Sequence, residues 1–268
     1  MKTREAVGHA AARRQLLSLS HLLGREDRGL AILGEGNTSA KLSEATFVVK
    51  ASGRNLAGLS QGGLCECRFK DLLGLMSAGK ITDERVDQVL LGSRVRASEG
   101  KPSVEAVFHA YLLTLPGVRF VGHTHPVAVT GLLCSSAAHD FAHRRLFPDA
   151  VVCCGCDSVL VPYADPGVML ARAIWRHTAQ FIERRGEIPR VILLKNHGLI
   201  TLGMTPQAVV TASMMAEKAA RILHHASTGG RKPRFLSDQQ VTRIGARPDE
   251  HHRQRVLGLS DSRADSRP

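Results

Sequence analysis

Aromatic side chains are scarce in this sequence, with one Trp, two Tyr and eight Phe among 268 residues. A surface that grips single-stranded nucleic acid by stacking bases on aromatic rings is therefore not encoded. Cysteine occurs six times, as Cys65-x-Cys67, Cys134 and Cys153-Cys154-x-Cys156. Neither cluster has the paired C-x-x-C spacing of a structural zinc site, and the thiols read as free in a reducing compartment. No apolar run approaches the roughly 20 residues of a membrane span. The N-terminal segment is broken by Arg13, Arg14, Arg25 and Arg28, so no secretory leader is read there and a cytoplasmic location is expected. Lysine is scarce too: it supplies nine of the 36 basic residues, so the formal net charge of +12 rests on Arg. A basic surface favours anions such as phosphates and sugar acids. No basic stretch has interleaved aromatics, so nucleic acid is not expected as a partner.

What the chain does hold is a hydrophobic fraction of 43%, ample for a core. Leu16, Leu19, Leu22 and Leu23 line one side of a helix from Arg4 to Leu23. Strands are expected at Phe47–Ala51, Leu64–Phe69, Val118–His125, Val151–Cys154, Ser158–Val161, Val191–Leu194 and Leu199–Gly203. Gly34–Ser39 and Ser52–Asn55 read as loops rich in hydrogen-bond donors. Helices are expected at Lys70–Ser77, from Ser103 through Leu112, at Val127–Ser135, at Val168–Arg184 and from Thr205–Pro206 to about His225. Thr82–Gly100 reads as a helical turn and a loop, and His139–Pro148 as polar and exposed. Ser103 is a candidate N-cap, which places Glu105 in the first turn, where the helix dipole favours a carboxylate. Gly229-Gly230 marks a boundary between a domain at 1–228 and a basic polar tail at 229–268. That tail carries one helix at Asp238–Ile244 and a disordered end. The main domain reads as helices covering a largely antiparallel sheet.

The most definite chemical proposal is His123-Thr124-His125 at the end of an apolar strand. Strand side chains alternate faces, so the two imidazoles point the same way and could share a metal ion. Alone, the pair reads first as one solvent-facing and one hydrogen-bonded core histidine. A third histidine, His197, follows another apolar strand, and Glu105 lies one helix upstream as a candidate base. Three protein ligands with one open position is the pattern of a catalytic divalent site.

Five short motifs fall in order: Glu35-Gly36-Asn37-Thr38-Ser39, Lys50-Ala51-Ser52-Gly53, Pro102-Ser103-Val104-Glu105, His123-Thr124-His125-Pro126 and Asn196-His197-Gly198. In that order they resemble the class II aldolase/adducin family, which includes fuculose-phosphate and rhamnulose-phosphate aldolases and ribulose-phosphate 4-epimerase. The resemblance runs from about Arg4 to Ala226. It implies a three-layer α/β/α sandwich around a mainly antiparallel sheet, assembled as a homotetramer. It implies Zn²⁺ or another divalent ion on His123, His125 and His197, with Glu105 as catalytic acid/base. Asn37, Ser52, Gly53 and Ser103 match positions that bind the substrate's phosphate. The implied activity is aldol cleavage or formation in a ketose or ketose phosphate through an enediolate. Epimerase, dehydratase or decarboxylase chemistry at the same site is the alternative, as is a non-catalytic adducin-like module. Two positions depart from the pattern. Val104 stands where phosphate-using members carry a second Ser. The tail has no Tyr to serve as proton donor to the aldehyde oxygen, a role left to His139, His143, His251, His252 or water.

Overall fold

The computed structural model describes residues 2–250 and Val256; His251, His252 and the expected disordered end lie outside the described residues. Seven strands form one sheet: β1 (Asn37–Lys41), β2 (Thr46–Lys50), β3 (Leu64–Arg68), β4 (Phe120–Thr124), β5 (Val159–Val161), β6 (Val191–Leu194) and β7 (Gly198–Gly203). Their spatial order is β3-β2-β1-β4-β7-β6-β5, and every pairing is antiparallel except β5 with β6. The strand that carries the His-x-His pair therefore lies at the centre, flanked by β1 and β7.

Ten α-helices accompany the sheet among the described residues: α1 (Lys2–Leu23), α2 (Phe69–Ser77), α3 (Asp83–Ser93), α4 (Ala106–Leu112), α5 (Val127–Leu133), α6 (Ala138–His143), α7 (Pro148–Cys154), α8 (Val168–Arg185), α9 (Pro206–Ser227) and α10 (Asp238–Gly245). Alternation along the strands decides which helices each face receives. Val49, Val121, Ile192, Leu194, Ile200 and Leu202 pack with Phe108 and Leu112 of α4, Ile174 of α8 and Leu72 of α2. Their neighbours of opposite parity turn to the other face. Ala40, Val48 and Phe120 meet Leu16, Leu19 and Leu23 of α1, while Val191, Leu193 and Leu199 meet α5, α7 and α9. The result is the expected α/β/α sandwich with a mainly antiparallel sheet.

Several segments differ from their sequence reading. Val151–Cys154 forms a helix, not a strand, because Pro148 occupies the first helical turn and the whole apolar run is buried on α9. A short apolar run cannot by itself separate a buried strand from a buried helix. The segment His139–Pro148 is not exposed throughout: Phe141 and Ala142 are buried, and so is Arg145. Thr82–Gly100 contains an eleven-residue helix capped by Thr82, whose Oγ1 accepts from Arg85 N at 3.3 Å. Asn37–Ser39 is not a loop but the start of strand β1, next to the central β4. α4 begins at Ala106 rather than at Ser103, with Glu105 itself at the N-cap.

Beyond α9 the chain stays in contact with the body. Leu236 N donates to Arg145 O at 2.8 Å, Arg144 lies over the Phe235 ring, and Val241 and Ile244 of α10 are buried beside α7. The helix expected in the tail is present, started by a reciprocal capping box between Ser237 and Gln240.

Candidate metal centre

Register brings the candidate residues together. Asn37 pairs with His123, His123 with Ile200, and Leu194 with Gly198, so β1, β4 and the β6–β7 hairpin all end at one place. His123 shares the parity of Val121 and therefore faces α4. His197 sits on the three-residue hairpin loop Lys195–His197, which turns through Asn196 at φ 56, in the left-handed region that Asn tolerates. Gly198 follows because a Cβ there would come within 2.6 Å of Thr124 O and 2.7 Å of His125 Cδ2. Gly36 is needed for two reasons, a φ of 68 and an approach that would put its Cβ 2.6 Å from His123 O.

The three imidazoles form a near-equilateral triangle, with ring centroids 4.8 Å (His123–His125), 5.0 Å (His123–His197) and 5.1 Å (His125–His197) apart. One nitrogen from each lies within 4.8 Å of the others, and this is the one such cluster of His, Cys, Asp or Glu among the described residues. His123 is fully buried, and His197 and His125 are 12% and 26% exposed at the side chain.

The outer nitrogens decide what the inner ones can do. His123 Nδ1 lies 3.0 Å from Leu199 O, which can only accept, so that nitrogen carries a proton. His125 Nδ1 lies 3.3 Å from the carboxylate of Glu35 and donates in the same sense. Both neutral rings then turn their Nε2 lone pairs toward each other at 3.1 Å. That arrangement needs a positive charge between the rings. A tetrahedral zinc with bonds of about 2.05 Å holds its nitrogen ligands roughly 3.3 Å apart, close to the 3.1 Å between His123 and His125, and a His197 nitrogen lies within 4.8 Å of both. The contacts to Leu199 O and Glu35 are of the kind that orient histidines where a metal is bound.

Glu105, 13% exposed, places Oε1 3.5 Å from His123 Nε2 and 3.4 Å from His197 Nε2. Burial alone would push this carboxyl up, but the neighbouring His123 and His197 outweigh it and hold it well below the usual carboxylate range. The same pairing acts on His123: burial lowers it, and Glu105 more than restores it. His125 is pushed down to about 3 by burial and by the other two histidines.

The residues expected to bind phosphate divide into two groups. Asn37 is buried and donates Nδ2–H to Glu105 Oε2 at 2.6 Å, so it stands at the centre. Ser52 and Gly53 lie on an exposed turn, Gly53 with φ 72. A bridge between Ala51 and Pro102, with Ser52 N donating to Lys101 O at 2.9 Å, sets that turn beside Ser103. Ser103 Oγ accepts from Glu105 N at 3.3 Å. Val104 packs toward Gly167 and the apolar cluster.

Four residues near the site were not anticipated: Glu35 on His125, His109 and Ser39 behind Asn37, and buried Lys50, whose ammonium donates to Gly34 O at 3.2 Å and Arg54 O at 2.5 Å. The His139 and His143 rings meet at a tilt of 59° with centroids 4.7 Å apart, His143 lies on Asp157 at 2.8 Å, and Tyr163 bonds Asp165 at 3.0 Å.

The geometry has counterparts in known proteins. The chain is 26% identical over 223 residues to 3-oxo-tetronate 4-phosphate decarboxylase of Haemophilus influenzae, covering 82% of this chain and 90% of that one. It is similar to the structure of the N-terminal class II aldolase domain of a protein from Thermoplasma acidophilum, with a TM-score of 0.62 and 28% identity over 78% of this chain and 92% of that one. It also shares its fold with L-fuculose-1-phosphate aldolase from Thermus thermophilus, at a TM-score of 0.59 and 20% identity over 84% and 99% of the two chains. The profile of the Class II Aldolase and Adducin N-terminal domain matches residues 14–224, and the chain belongs to that family.

Proposed function

We propose that the chain is a divalent-metal-dependent carbon–carbon lyase that decarboxylates a phosphorylated 3-oxo sugar acid, with Glu105 as its proton carrier. The observation that carries this reading is a single carboxylate aimed at the three converging histidines. When bound at His123, His125 and His197, a divalent ion such as Zn²⁺ supplies Lewis acidity toward a carbonyl oxygen.

The reaction's proton demand favours decarboxylation over aldol cleavage. Loss of CO₂ from a 3-oxo acid breaks one carbon–carbon bond and sends its electron pair into an enolate. One proton then has to reach carbon, and Glu105 is placed to relay it from water. Aldol cleavage requires a second transfer, from the hydroxyl that becomes the aldehyde. The two tyrosines are poor candidates for it: burial pushes Tyr111 up to about 12, and Tyr163 is tied to Asp165. The decarboxylase relative supports the same choice. The phosphate of such a substrate would lie at the turn Ser52–Gly53–Arg54 beside Ser103, with Arg54 making up for the hydroxyl that Val104 lacks. A homotetramer in the cytoplasm completes the reading; among the described residues no helix is long and apolar enough to cross a membrane.

The test is to supply the zinc-loaded protein separately with 3-oxotetronate 4-phosphate and L-fuculose 1-phosphate, following CO₂ and aldehyde release. CO₂ from the first and no aldehyde from the second is expected. The reverse pattern makes the chain an aldolase, and no turnover of either removes both readings. Glu105→Gln should lower kcat by about 10²–10⁴-fold, the span of general acid–base catalysis.

A further inference from the structure

The sheet face that carries His123 also carries Asn37 and Ser39. In β1, Ala40 turns to α1, so Asn37 and Ser39, of the opposite parity, turn to α4. There they meet His109, four residues and about one helical turn beyond Glu105. All three side chains are buried, with Asn37 2% exposed and Ser39 and His109 fully enclosed. Their contacts form a line: Asn37 Nδ2 to Glu105 Oε2 at 2.6 Å, Asn37 Oδ1 against His109 Nε2, and His109 Nδ1 to Ser39 Oγ at 2.7 Å.

The direction of every bond in this line is forced. The Glu105 carboxylate can only accept, so Asn37 presents its NH₂. Its carbonyl then faces His109 Nε2 and needs an N–H there. A fully buried His109, pushed down to about 3 by burial, is neutral and has one N–H to give. With that proton on Nε2, Nδ1 is an acceptor and the Ser39 hydroxyl must donate. The ring cannot swivel freely, because it stacks on Phe108 at 4.7 Å and 22°.

We propose that His109 is a positioning residue for proton transfer: the one-way chain Ser39–His109–Asn37 locks the Asn37 amide so that one Glu105 oxygen is anchored and the other faces the histidine cluster. The role rests on Glu105 being the proton carrier of the proposed reaction; the hydrogen-bond chain does not. Without the His109 N–H, the Asn37 amide is free to turn half a revolution. Its carbonyl would then oppose the carboxylate, two acceptors face to face, and Glu105 would leave its place.

Two measurements on the full chain loaded with Zn²⁺ test this. Long-range proton–nitrogen NMR of the histidine-labelled protein should show His109 as the neutral Nε2–H tautomer, unchanged between about pH 5.5 and 8.5, well above a pKa of about 3. An Nδ1–H tautomer, or titration within that range, overturns the proposal. The second measurement compares His109→Gln, whose amide nitrogen reaches the place of Nε2, with His109→Asn, whose amide reaches only that of Nδ1. With 3-oxotetronate 4-phosphate as substrate, His109→Asn should lose about tenfold to a hundredfold in kcat, at unchanged zinc content and with KM within about twofold. His109→Gln should recover most of that loss. Equal losses in the two variants, or a loss confined to KM, overturn the proposal. If that compound is not consumed, the Asn37 side-chain amide decides: its solvent exchange should quicken at least about tenfold in His109→Asn and not in His109→Gln, and no difference overturns the chain. An Nε2–H tautomer together with full turnover by Glu105→Gln overturns the positioning role while leaving the chain itself in place.

Discussion

Two regions of this molecule bury strongly polar groups, and they do so in opposite ways. Behind β5, the Arg145 guanidinium is 4% exposed and has no carboxylate within ion-pair distance among the described residues. It donates instead to Gly155 O at 2.8 Å, Ala142 O at 3.0 Å, Arg144 O at 3.1 Å and Ser158 Oγ at 2.8 Å. Burial lowers its pKa, yet each of its three nitrogens has an acceptor. At the histidine cluster the outer nitrogens of His123 and His125 are partnered as well, but their inner ones converge on each other, acceptor facing acceptor. Burial of a polar group is therefore no signal of function on its own. The informative difference is whether its hydrogen-bonding capacity is used up inside the protein or left aimed at a common point.

Three experiments sharpen that contrast. The largest effect is expected at the complete region. Arg145→Met removes a donor to four acceptors, each of which costs roughly 1–3 kcal/mol when left unmade, offset in part by the guanidinium's own desolvation. Urea unfolding should show a net loss of about 3 kcal/mol, with zinc affinity unchanged; a stable Arg145→Met protein would show that the carbonyls find other partners. Next comes the open region. Zinc at about a hundred times its dissociation constant should stabilise the parent by about 2.7 kcal/mol. For a domain of this size that is about 5–10 °C in Tm, and His123→Ala should abolish the response. Equal zinc stabilisation of His123→Ala would remove His123 as a ligand. The smallest effect belongs to Asp157, which joins Arg145's neighbourhood to the surface. Burial raises its pKa, but the bonds from His143 and the Ser158 amide, with Arg184 nearby, more than reverse this and leave it lowered. A carboxyl lowered on folding contributes stability that is present above its unfolded pKa of about 3.9 and lost as pH falls through the folded value. The gap between Asp157→Asn and the parent should therefore be fully open above about pH 4, the unfolded carboxyl's range, and close progressively as pH falls below it. A gap that stays constant with pH would assign the effect to packing.

Much of the fold was legible because its signals are local. The apolar runs at Val191–Leu194 and Leu199–Gly203 and the leucine stripe of the first helix each decide their own conformation. The three histidines and Glu105 were legible from type and spacing. The second set of polar groups was not. His109 sits four residues after Glu105 and Ser39 two after Asn37, so each pair shares a face, but nothing local says that the two faces meet. That follows from the β1–β4 pairing and from α4 packing on it, both long-range. Val151–Cys154 was misread for a related reason: Val and Cys suit a strand, and only the helix-starting Phe147-Pro148 argued otherwise. Ser103 looked like a cap because its residue type suits one, but the bridge from Pro102 to Ala51 holds that stretch extended and delays the helix to Ala106.

The hairpin that carries His197 also bears on the order of assembly. Its partners in the cluster lie more than seventy residues upstream, and the long-range β4–β7 pairing brings the two parts together. Closing so long a stretch of chain is among the slower steps of folding. An ion that needs all three imidazoles gains its full hold only once that step is complete. A divalent ion bound there would act as a latch on the finished sheet: it would slow escape from the native state and leave the rate of reaching it largely unchanged.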